Sequence, residues 1–395
     1  MKSEWKIMKA SEFINFNPKI SLKKGTSAKK IAMDKLMPFT KKVSGYEIAS
    51  YSGGTKFCNG DTIMARITPC LENGKTAYVD FLEEGEIAFG STEFIVMRAK
   101  EGISDSQFIY YLSVSPYFRE IAIKSMVGSS GRQRVQQSVL EELELLMPPL
   151  EEQEKIGQFL KNIDDKIALN QQINNNLEQQ LSAIFKEMFS EYIDVFNESD
   201  NLLGDLVISI DNRGKTPPLS PEPTNYPIID VRALSGTSRI IDYNNCTKYV
   251  SKETYNNWFR NGHPKPYDIL ISTVGSLAEM KIYLGNIGCI AQNVVGFRSK
   301  GISPLYIYQY LNYIKKDLVS YNIGSVQPSI KVTHIIKHPI YIPTDDLLKS
   351  FDEISCVMTE QIYSNSKETE NLKVLRDTLL PKLMAGELDV SNVAP

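Results

Sequence analysis

The sequence predicts a mixed α/β (α+β) fold in which two duplicated domains, each of mixed β-sheet and helices, are separated by two long helices that form a coiled coil. Three observations predict this fold. A heptad seam occupies the middle of the chain, the same seam recurs near the C-terminus, and the elements between the seams repeat in order. At 395 residues the chain is also too long for one small core.

Residues 1–150 are predicted to form the first domain, which opens with a lysine-rich stretch. Residues 1–56 hold twelve lysines and four acidic residues, a local net charge of +8. Basic loops suit phosphate contact, because each neutralised phosphate releases counterions. A solvated basic face is the alternative explanation for any single lysine. The lysines that we predict to contact phosphates are Lys23, Lys24, Lys29, Lys30, Lys41 and Lys42.

Extended sequence follows from Gly60 onward. GDTIMARI and KTAYVDF flank the pair Asn73-Gly74, which is typical of a β-hairpin. GEIAFGSTEFIVMRAK is also strand-like, and residues 106–126 then have helical spacing. The segment GSSGRQR, residues 128–134, is predicted to be a loop that leads into a strand before two prolines.

Residues 151–190 are predicted to form one long helix. Pro148 and Pro149 precede it, and Glu151 and Glu152 complement the positive end of the helix dipole. Of ten positions at heptad spacing, eight are apolar, and the exceptions are Asn170 and Asn174. The apolar seam positions are Ile156, Leu160, Ile163, Ile167, Leu177, Leu181, Ile184 and Met188.

A second long helix is predicted for residues 344–386, followed by a tail at 387–395. The same ten positions recur 195 residues later, and the polar gap recurs at Asn365 and Thr369. Matching polar layers predict that the two helices pack on each other in a fixed register. Two unrelated amphipathic helices on separate cores are the alternative. The apolar positions of the second seam are Phe351, Met358, Ile362, Leu372, Leu379 and Leu383.

Residues 191–203 are predicted to be a linker, and residues 204–343 to form a second domain that repeats the first. GDTIMARI is matched by YDILISTV, RAKEGIS by RSKGIS, and GSSGRQRV by GSVQPSI. The offset between copies varies from 207 to 196 residues, as loop insertions would produce. The cations of the second domain that we predict to contact phosphates are Arg213, Lys215, Arg232 and Arg239.

Catalytic and metal-binding motifs are not predicted. Two Gly-Lys-Thr triplets, at 74–76 and 214–216, lack the first glycine of a phosphate-binding loop. His334 and His338 lie on a predicted strand with only His263 elsewhere, so a structural or surface role is favoured over metal ligation. The five cysteines are scattered, which argues against disulfides and zinc. We therefore expect a recognition protein that serves another subunit's active site.

Charge and hydropathy limit the function classes further. The net charge of −3 means that nucleic-acid affinity must come from local patches. MKSEWKIMKASEF has charges where a signal peptide needs an apolar core, and no later run is long enough to span a membrane. A cytoplasmic location is expected.

Two segments carry a family resemblance. MPPLEEQEKIGQFLKNIDDKI (residues 147–167) and LRDTLLPKLMAGEL (residues 375–388), with the duplicated layout, resemble the DNA specificity subunit of type I restriction-modification systems. RITPCLENGKTA and FGSTEFIV are similar to one class of target-recognition domain in that family. One departure is IPTDDLLKSFDEI, where the second copy should repeat MPPLEEQEKIGQFL, so the two helix starts are expected to offer unequal docking surfaces.

The resemblance implies a non-catalytic subunit with two target-recognition domains, held apart by an antiparallel pair of long helices. Each domain would read half of a split site in double-stranded DNA. Two methylation subunits would bind S-adenosylmethionine and methylate adenine, and restriction subunits would add ATP- and Mg-dependent translocation and cleavage. No cofactor is expected on this chain itself, and the sequence leaves open whether two restriction subunits bind. A duplicated protein-binding scaffold with a helical dimerisation spacer is the alternative function.

Base reading requires side chains that form paired hydrogen bonds, such as Arg with guanine and Gln with adenine. In the predicted loops these side chains are Arg132, Gln133, Arg134 and Gln327. An ordinary helix-to-strand loop capped by serines is the alternative for GSSGRQR. The other cations named above would position the DNA without specifying its sequence.

Overall fold

The computed structural model of the protein describes residues 5–194, 201–285 and 287–388. These residues divide into two compact units. The first unit contains the residues up to Ala168 and those from Glu370 onward, and the second unit is Leu169–Thr369. Among the described residues, no helix is long and apolar enough to cross a membrane.

The first unit combines short strands with short helices ahead of the first long helix. Its strands are β1 (Lys6–Lys9), β2 (Ile14–Phe16), β3 (Ser27–Ile31), β4 (Glu47–Ser50), β5 (Thr55–Phe57), β6 (Thr62–Ala65), β7 (Thr76–Tyr78), β8 (Ala88–Gly90), β9 (Phe94–Ala99) and β10 (Glu144–Met147). Its helices are α1 (Ala10–Phe13), α2 (Ser106–Val114), α3 (Pro116–Lys124) and α4 (Gln137–Glu141), with a 3-10 turn at Met33–Lys35.

Two four-stranded sheets organise the first unit. One has the antiparallel order β2-β9-β6-β7 and contains the predicted hairpin, in which Thr62 pairs with Tyr78. The other has the order β4-β3-β8-β5, where β3 and β8 are parallel. Strands β1 and β10 form a separate antiparallel pair. The single helical run expected at 106–126 is divided, because Ser115 caps a new helix that begins at Pro116.

The second unit has fewer strands. Its elements before and between the long helices are α6 (Leu203–Leu206), β11 (Val207–Ile210), α7 (Lys252–Asn257), β12 (Ile269–Ser272), β13 (Met280–Ile282), β14 (Val294–Ser299), α8 (Pro304–Tyr313), α9 (Lys315–Ser320) and α10 (Val332–Ile336), with 3-10 turns at Val231–Leu234 and Tyr243–Asn245. Its sheet has the order β11-β14-β12-β13, with every neighbouring pair antiparallel. This order matches β2-β9-β6-β7 strand for strand, which confirms the predicted duplication.

The same ion pair joins equivalent strands in both units. Arg98 donates to Asp61 through Nε and Nη2, both at 2.6 Å. In the second unit Arg298 donates to Asp268 over 3.0 and 2.7 Å. Asp61 and Asp268 are 0% and 1% exposed, so each buried carboxylate depends on its arginine partner.

One predicted element is wrong. Residues 331–343 were expected to form a strand, but Val332–Ile336 is helix α10. Val332 and Ile335 are buried three residues apart, which is one helical turn. The apolar run is short enough for the tertiary environment to decide between helix and strand.

The two long helices are α5 (Leu150–Asp194) and α11 (Asp345–Met384). Helix α5 continues through the first four residues of the predicted linker, whose residues 195–200 lie outside the described part of the chain. Most of the predicted tail, from 389 onward, also lies outside it. The predicted fold class, with mixed domains and two long helices, is confirmed.

Helices α5 and α11 run antiparallel within each unit. In the second unit, Asn174 donates to the carbonyl of Ile362 (3.2 Å) and to Ser366 (3.1 Å), while Asn170 donates to Glu368 (2.8 Å). A lower number on α5 therefore meets a higher number on α11. In the first unit, Arg376 of α11 donates to Asp164 of α5 over 2.8 Å.

The seam agrees with the prediction at some positions and departs from it at others. The seam residues that are buried are Ile156, Leu160, Ile163, Ile167, Leu181, Phe351, Ile362 and Leu383. The seam residues that are only half-buried are Leu177, Ile184, Met188, Met358, Leu372 and Leu379. Phe185 and Phe189 replace Ile184 and Met188 as the buried residues. A helix of 3.6 residues per turn drifts against a strict heptad, so the buried face moves by one residue.

Candidate nucleic-acid interface

A tight loop after α3 carries the predicted base-reading residues of the first unit. We call Val127–Arg134 the first tip loop. Val127 and Arg134 exchange backbone hydrogen bonds of 3.0 and 2.9 Å, and the amide of Arg132 donates to the carbonyl of Ser129 over 3.0 Å. The loop is therefore a closed hairpin turn with Ser129–Arg132 at its tip.

The first tip loop is fixed to the end of β6. The amide of Thr68 donates to the carbonyl of Gln133 (3.0 Å), and the amide of Val135 donates to the carbonyl of Arg66 (2.9 Å). Backbone contacts of this kind hold the loop in place whatever side chains its tip carries.

The second unit contains an equivalent loop that is one residue shorter. We call Ile323–Ser329 the second tip loop. The amide of Ile323 donates to the carbonyl of Ser329 over 2.9 Å. Two further bonds fix the loop to the end of β12: Gly275 to Pro328 (2.9 Å) and Ile330 to Thr273 (2.8 Å). Each bond has its counterpart in the first tip loop.

A glycine makes the same close approach in both loops. A Cβ atom on Gly128 would lie 3.0 Å from the carbonyl oxygen of Arg132, and one on Gly324 would lie 1.8 Å from that of Gln327. Gly128 also has a φ of +136°, which L side chains rarely adopt. The carbonyl of the tip residue thus folds over the glycine in both units, so Arg132 and Gln327 occupy equivalent places.

The three candidates in the first tip loop differ in availability. Arg134 donates to both carboxylate oxygens of Glu93, at 2.7 and 3.0 Å, and this bond holds the pKa of Glu93 below its usual value. Arg132 is exposed, and its side chain has no partner among the described residues. Gln133 is half-buried. Of these three residues, Arg132 is therefore the one whose guanidinium is exposed and has no partner among the described residues.

The second tip loop presents Val326 and Gln327. Both are exposed, and Val326 is 98% exposed despite its apolar side chain. Within the described residues the Gln327 side chain has no hydrogen-bond partner. Both tips therefore carry a side chain able to form paired hydrogen bonds that the fold itself does not use.

In the second unit, polar and cationic groups surround the second tip loop. Thr273, which anchors the loop, accepts a hydrogen bond from Arg213 (3.4 Å), and its amide donates to Asn293 (2.8 Å). Arg213 also donates to both oxygens of Asp211, at 2.8 and 2.6 Å. Burial opposes ionisation of Asp211, but the bonds from Arg213 outweigh it and keep the pKa of Asp211 below its usual value. The guanidinium of Arg213 is held rigidly, and its charge is partly neutralised.

A cleft of about 280 Å³ opens beside this group. Arg232 and Lys248 supply positive charge to its lining, and Gln292 and Asn293 supply amide groups. Lys215 is exposed and adjoins Thr216, which also lines the cleft. Arg213 therefore bonds to a residue that anchors the second tip loop, Arg232 lines the neighbouring cleft, and Lys215 precedes a residue that lines it.

The predicted lysines of the first unit are not gathered in this way. Lys23 and Lys24 are exposed in the turn that precedes β3. This turn adjoins the start of β3, whereas Gly90 pairs with the last residue of that strand. Lys42 is exposed, and Lys30 is paired with Glu47 at 3.5 Å. Their contact with phosphates remains a prediction.

Two lysines of the predicted phosphate set are unsuited to that role. Lys29 donates to Glu86 over 2.8 Å, and its side chain is only 12% exposed. Lys41 donates to Gln107 (2.6 Å) and Tyr111 (3.0 Å), and burial lowers the pKa of its ammonium to about 8. The prediction for these two is corrected, because their amino groups are already engaged inside the unit.

The prediction that Arg239 contacts a phosphate is also corrected. Arg239 is 1% exposed and donates to both oxygens of Glu178 on α5, from Nη2 to Oε2 at 2.9 Å and from Nε to Oε1 at 3.1 Å. Its Nη1 donates to Thr359 of α11 over 2.6 Å. A buried guanidinium that binds both long helices cannot contact a phosphate, so Arg239 is a structural clamp.

Sequence reasoning missed three residues of this face in the second unit. Arg260 is exposed and donates to the carbonyl of Arg213 over 2.7 Å. Lys248 and Gln292 line the cleft. These residues are far apart in the sequence and belong to no motif, so spacing alone gives no signal for them.

The histidines have structural partners, as the sequence predicted. The hydroxyl of Tyr321 lies 2.8 Å from Nδ1 of His338, and the ring of His263 stacks on Tyr255 at 3.7 Å. Burial lowers the pKa values of His263 and His338. No group of three or more metal-binding side chains occurs in the part of the chain that the structure describes.

Comparison with known proteins identifies related sequences over most of the chain. The family profile described as type I restriction modification DNA specificity domain matches residues 2–179 and 202–350. The MjaIX type I restriction enzyme specificity subunit of Methanocaldococcus jannaschii is 26% identical over 74% of this chain and 71% of its own length. The HindI type I specificity subunit of Haemophilus influenzae is 25% identical over 83% of this chain and 86% of its own.

A solved structure has a similar fold. The S subunit of a type I restriction-modification system from M. genitalium aligns with a TM-score of 0.57 at 16% identity. The alignment covers 97% of this chain and 96% of that one.

Proposed function

The chain belongs to the type I restriction-modification DNA specificity family, and we propose that it reads a two-part DNA target and directs adenine methylation there by partner subunits. One observation carries the proposal. The two units present equivalent loops, anchored by matching hydrogen bonds, with different side chains at the tip. A duplicated scaffold with different tips suits a protein that reads two different half-sites.

The cationic groups suit the positioning part of this function. In the second unit, Arg213, Lys215, Arg232 and Lys248 adjoin the tip loop or its neighbouring cleft. Phosphate contacts of this kind fix a protein on the duplex without reading bases. In the first unit, the exposed residues Lys23, Lys24 and Lys42 would serve the same purpose.

Catalysis is assigned to the partners. Two methylation subunits would supply S-adenosylmethionine and transfer the methyl group, and restriction subunits would supply ATP- and Mg-dependent cleavage. This chain would bind no cofactor, and it would act in the cytoplasm, where the DNA is.

The test compares genomic methylation with and without this chain. Cells that carry the gene and cells that lack it are sequenced by a method that detects methyladenine. We expect a motif of two specified parts separated by unread bases, methylated only when the chain is present. Unchanged methylation in the deletion strain would contradict the proposal and favour a protein-binding scaffold. Restoring the gene on a plasmid is the control.

A further inference from the structure

The two tip loops define one pair of equivalent side chains. The same carbonyl position folds over Gly128 in one loop and over Gly324 in the other, and these carbonyls belong to Arg132 and Gln327. Gln133 is instead equivalent to Pro328, because each accepts the anchoring bond from Thr68 or Gly275. Proline has no polar side chain, so among the predicted base-reading residues the position of Arg132 and Gln327 is the one that carries a paired hydrogen-bonding group in both units.

The neighbouring arginine does not compete for this role. Both nitrogens of Arg134 that face Glu93 are used in hydrogen bonds, and Ser329 stands at the equivalent place in the second loop. Arg132 and Gln327 are exposed and have no partner among the residues that the structure describes. A polar group that the fold leaves free, on a loop that the fold holds rigid, is suited to recognise a ligand.

The chemistry of the two side chains differs in a way that matches two bases. The guanidinium of arginine donates two parallel hydrogen bonds, which fit O6 and N7 of guanine in the major groove. The amide of glutamine donates one bond and accepts one, which fits N7 and N6 of adenine. Each such pair discriminates against the wrong base by about tenfold or more.

We propose that Arg132 reads a guanine in one half-site and that Gln327 reads an adenine at the equivalent position of the other. The assignment rests on the proposed function, since it names the bases that each unit recognises. Val326, 98% exposed beside Gln327, would reach the groove floor with it, where an apolar group suits a thymine methyl.

The first experiment maps the methylated motif of cells that express single variants in place of the wild-type chain. Arg132→Ala removes the guanidinium and both of its hydrogen-bond donors. We expect it to relax one guanine position in one half of the motif and to leave the other half unchanged. Gln327→Ala should relax one adenine position in the opposite half. Lys24→Ala is the control, because a phosphate contact should lower methylation of all sites together.

The second experiment measures binding of the complex, with its methylation subunits, to duplexes of the wild-type motif. Replacing the assigned guanine by 7-deazaguanine removes the N7 acceptor. We expect about tenfold weaker binding of the wild-type complex and no further change for Arg132→Ala. Gel filtration of the variant complex checks that it assembles.

Three outcomes separate the hypotheses. A motif that stays unchanged in Arg132→Ala and Gln327→Ala overturns the assignment, while the need for this gene would still uphold the proposed function. Equal loss at 7-deazaguanine in wild type and Arg132→Ala also overturns it, since Arg132 would then not touch N7. If deleting the gene leaves methylation intact, the proposed function itself fails.

Discussion

Asn365 donates a hydrogen bond from its Nδ2 atom to Oδ1 of Asn174 over 2.9 Å, although the two residues are 191 positions apart. Both side chains are buried in the seam between α5 and α11 in the second unit. The amide of Asn174 is satisfied in turn by the carbonyl of Ile362 and by Ser366. A buried polar pair of this kind favours one register over its neighbours at some loss of stability.

Replacing one member of this pair should therefore lower the stability of the second unit, whereas replacing both should restore it. Asn365→Leu leaves Oδ1 of Asn174 without its donor, and we expect the second unit to lose about 2 kcal/mol of unfolding free energy. The double variant Asn174→Leu/Asn365→Leu should recover at least that loss. Urea unfolding followed by Trp258 fluorescence, in a Trp5→Phe background, reports on the second unit alone. A double variant less stable than Asn365→Leu would contradict this account.

Arg239 and Glu178 provide a second test in the same unit. Removing the arginine alone, as in Arg239→Met, leaves the carboxylate of Glu178, which is only 13% exposed, without its cationic partner. We expect a loss of about 3 kcal/mol, and most of it should be recovered in Arg239→Met/Glu178→Leu. The same Trp258 fluorescence assay completes the double-mutant cycle. Arg232→Met, at an exposed arginine, is the matched control and should change stability little.

Lys41 should make the stability of the first unit depend on pH. Burial lowers its folded pKa to about 8, from an ordinary value near 10.5. Between these pH values the unfolded chain binds a proton that the folded chain does not, so stability rises as pH rises. Below pH 8 both states are protonated, and this contribution stays constant.

We expect the unfolding free energy of the first unit to rise by about 1.5 kcal/mol between pH 8 and 9.5 because of this group. Lys41→Met should lack that rise. Trp5 fluorescence in a Trp258→Phe background measures it, and Lys42→Met, at an exposed neighbour, is the control. An identical pH slope in Lys41→Met and wild type would contradict the assignment.

Gly157 is buried in α5 where that helix meets the start of α2. A Cβ atom there would lie 2.6 Å from Oδ1 of Asp105, the residue that caps α2. Alanine normally stabilises a helix by about 1 kcal/mol relative to glycine. We expect Gly157→Ala to destabilise the first unit by about 1–3 kcal/mol instead, because the cap must shift. The Trp5 assay measures the loss, and Asn162→Ala, at an exposed position of α5 in the same unit, is the control.

The sequence predicts the repeated parts of this protein best. Asp61 with Asp268 and Arg98 with Arg298 were matched by order alone, and the structure joins them into equivalent ion pairs. A repeated sequence pattern predicts equivalent contacts, because both copies of the domain need the same local interactions. The long helices were predictable for a similar reason, since their periodicity extends over many turns.

Other features depend on contacts that the sequence does not reveal. Arg239 resembles any surface arginine until Glu178, 61 residues away, is seen to bind it. Phe185 becomes buried instead of Ile184 because Tyr306 and Phe351 pack on its ring, at 5.6 and 5.7 Å. Helix α10 was mistaken for a strand because its apolar run is too short to carry a period. Each case is decided by a partner far along the chain.

The glycine at the base of each tip loop has a consequence for how new specificities arise. Backbone hydrogen bonds and Gly128 or Gly324 shape the loop, so the tip side chain contributes almost nothing to folding. Two arginine codons become glutamine codons through one nucleotide transition. If Arg132 and Gln327 read bases as proposed, one such mutation would change half of the recognised sequence without changing the abundance of the protein, and selection would act only on the new methylation pattern.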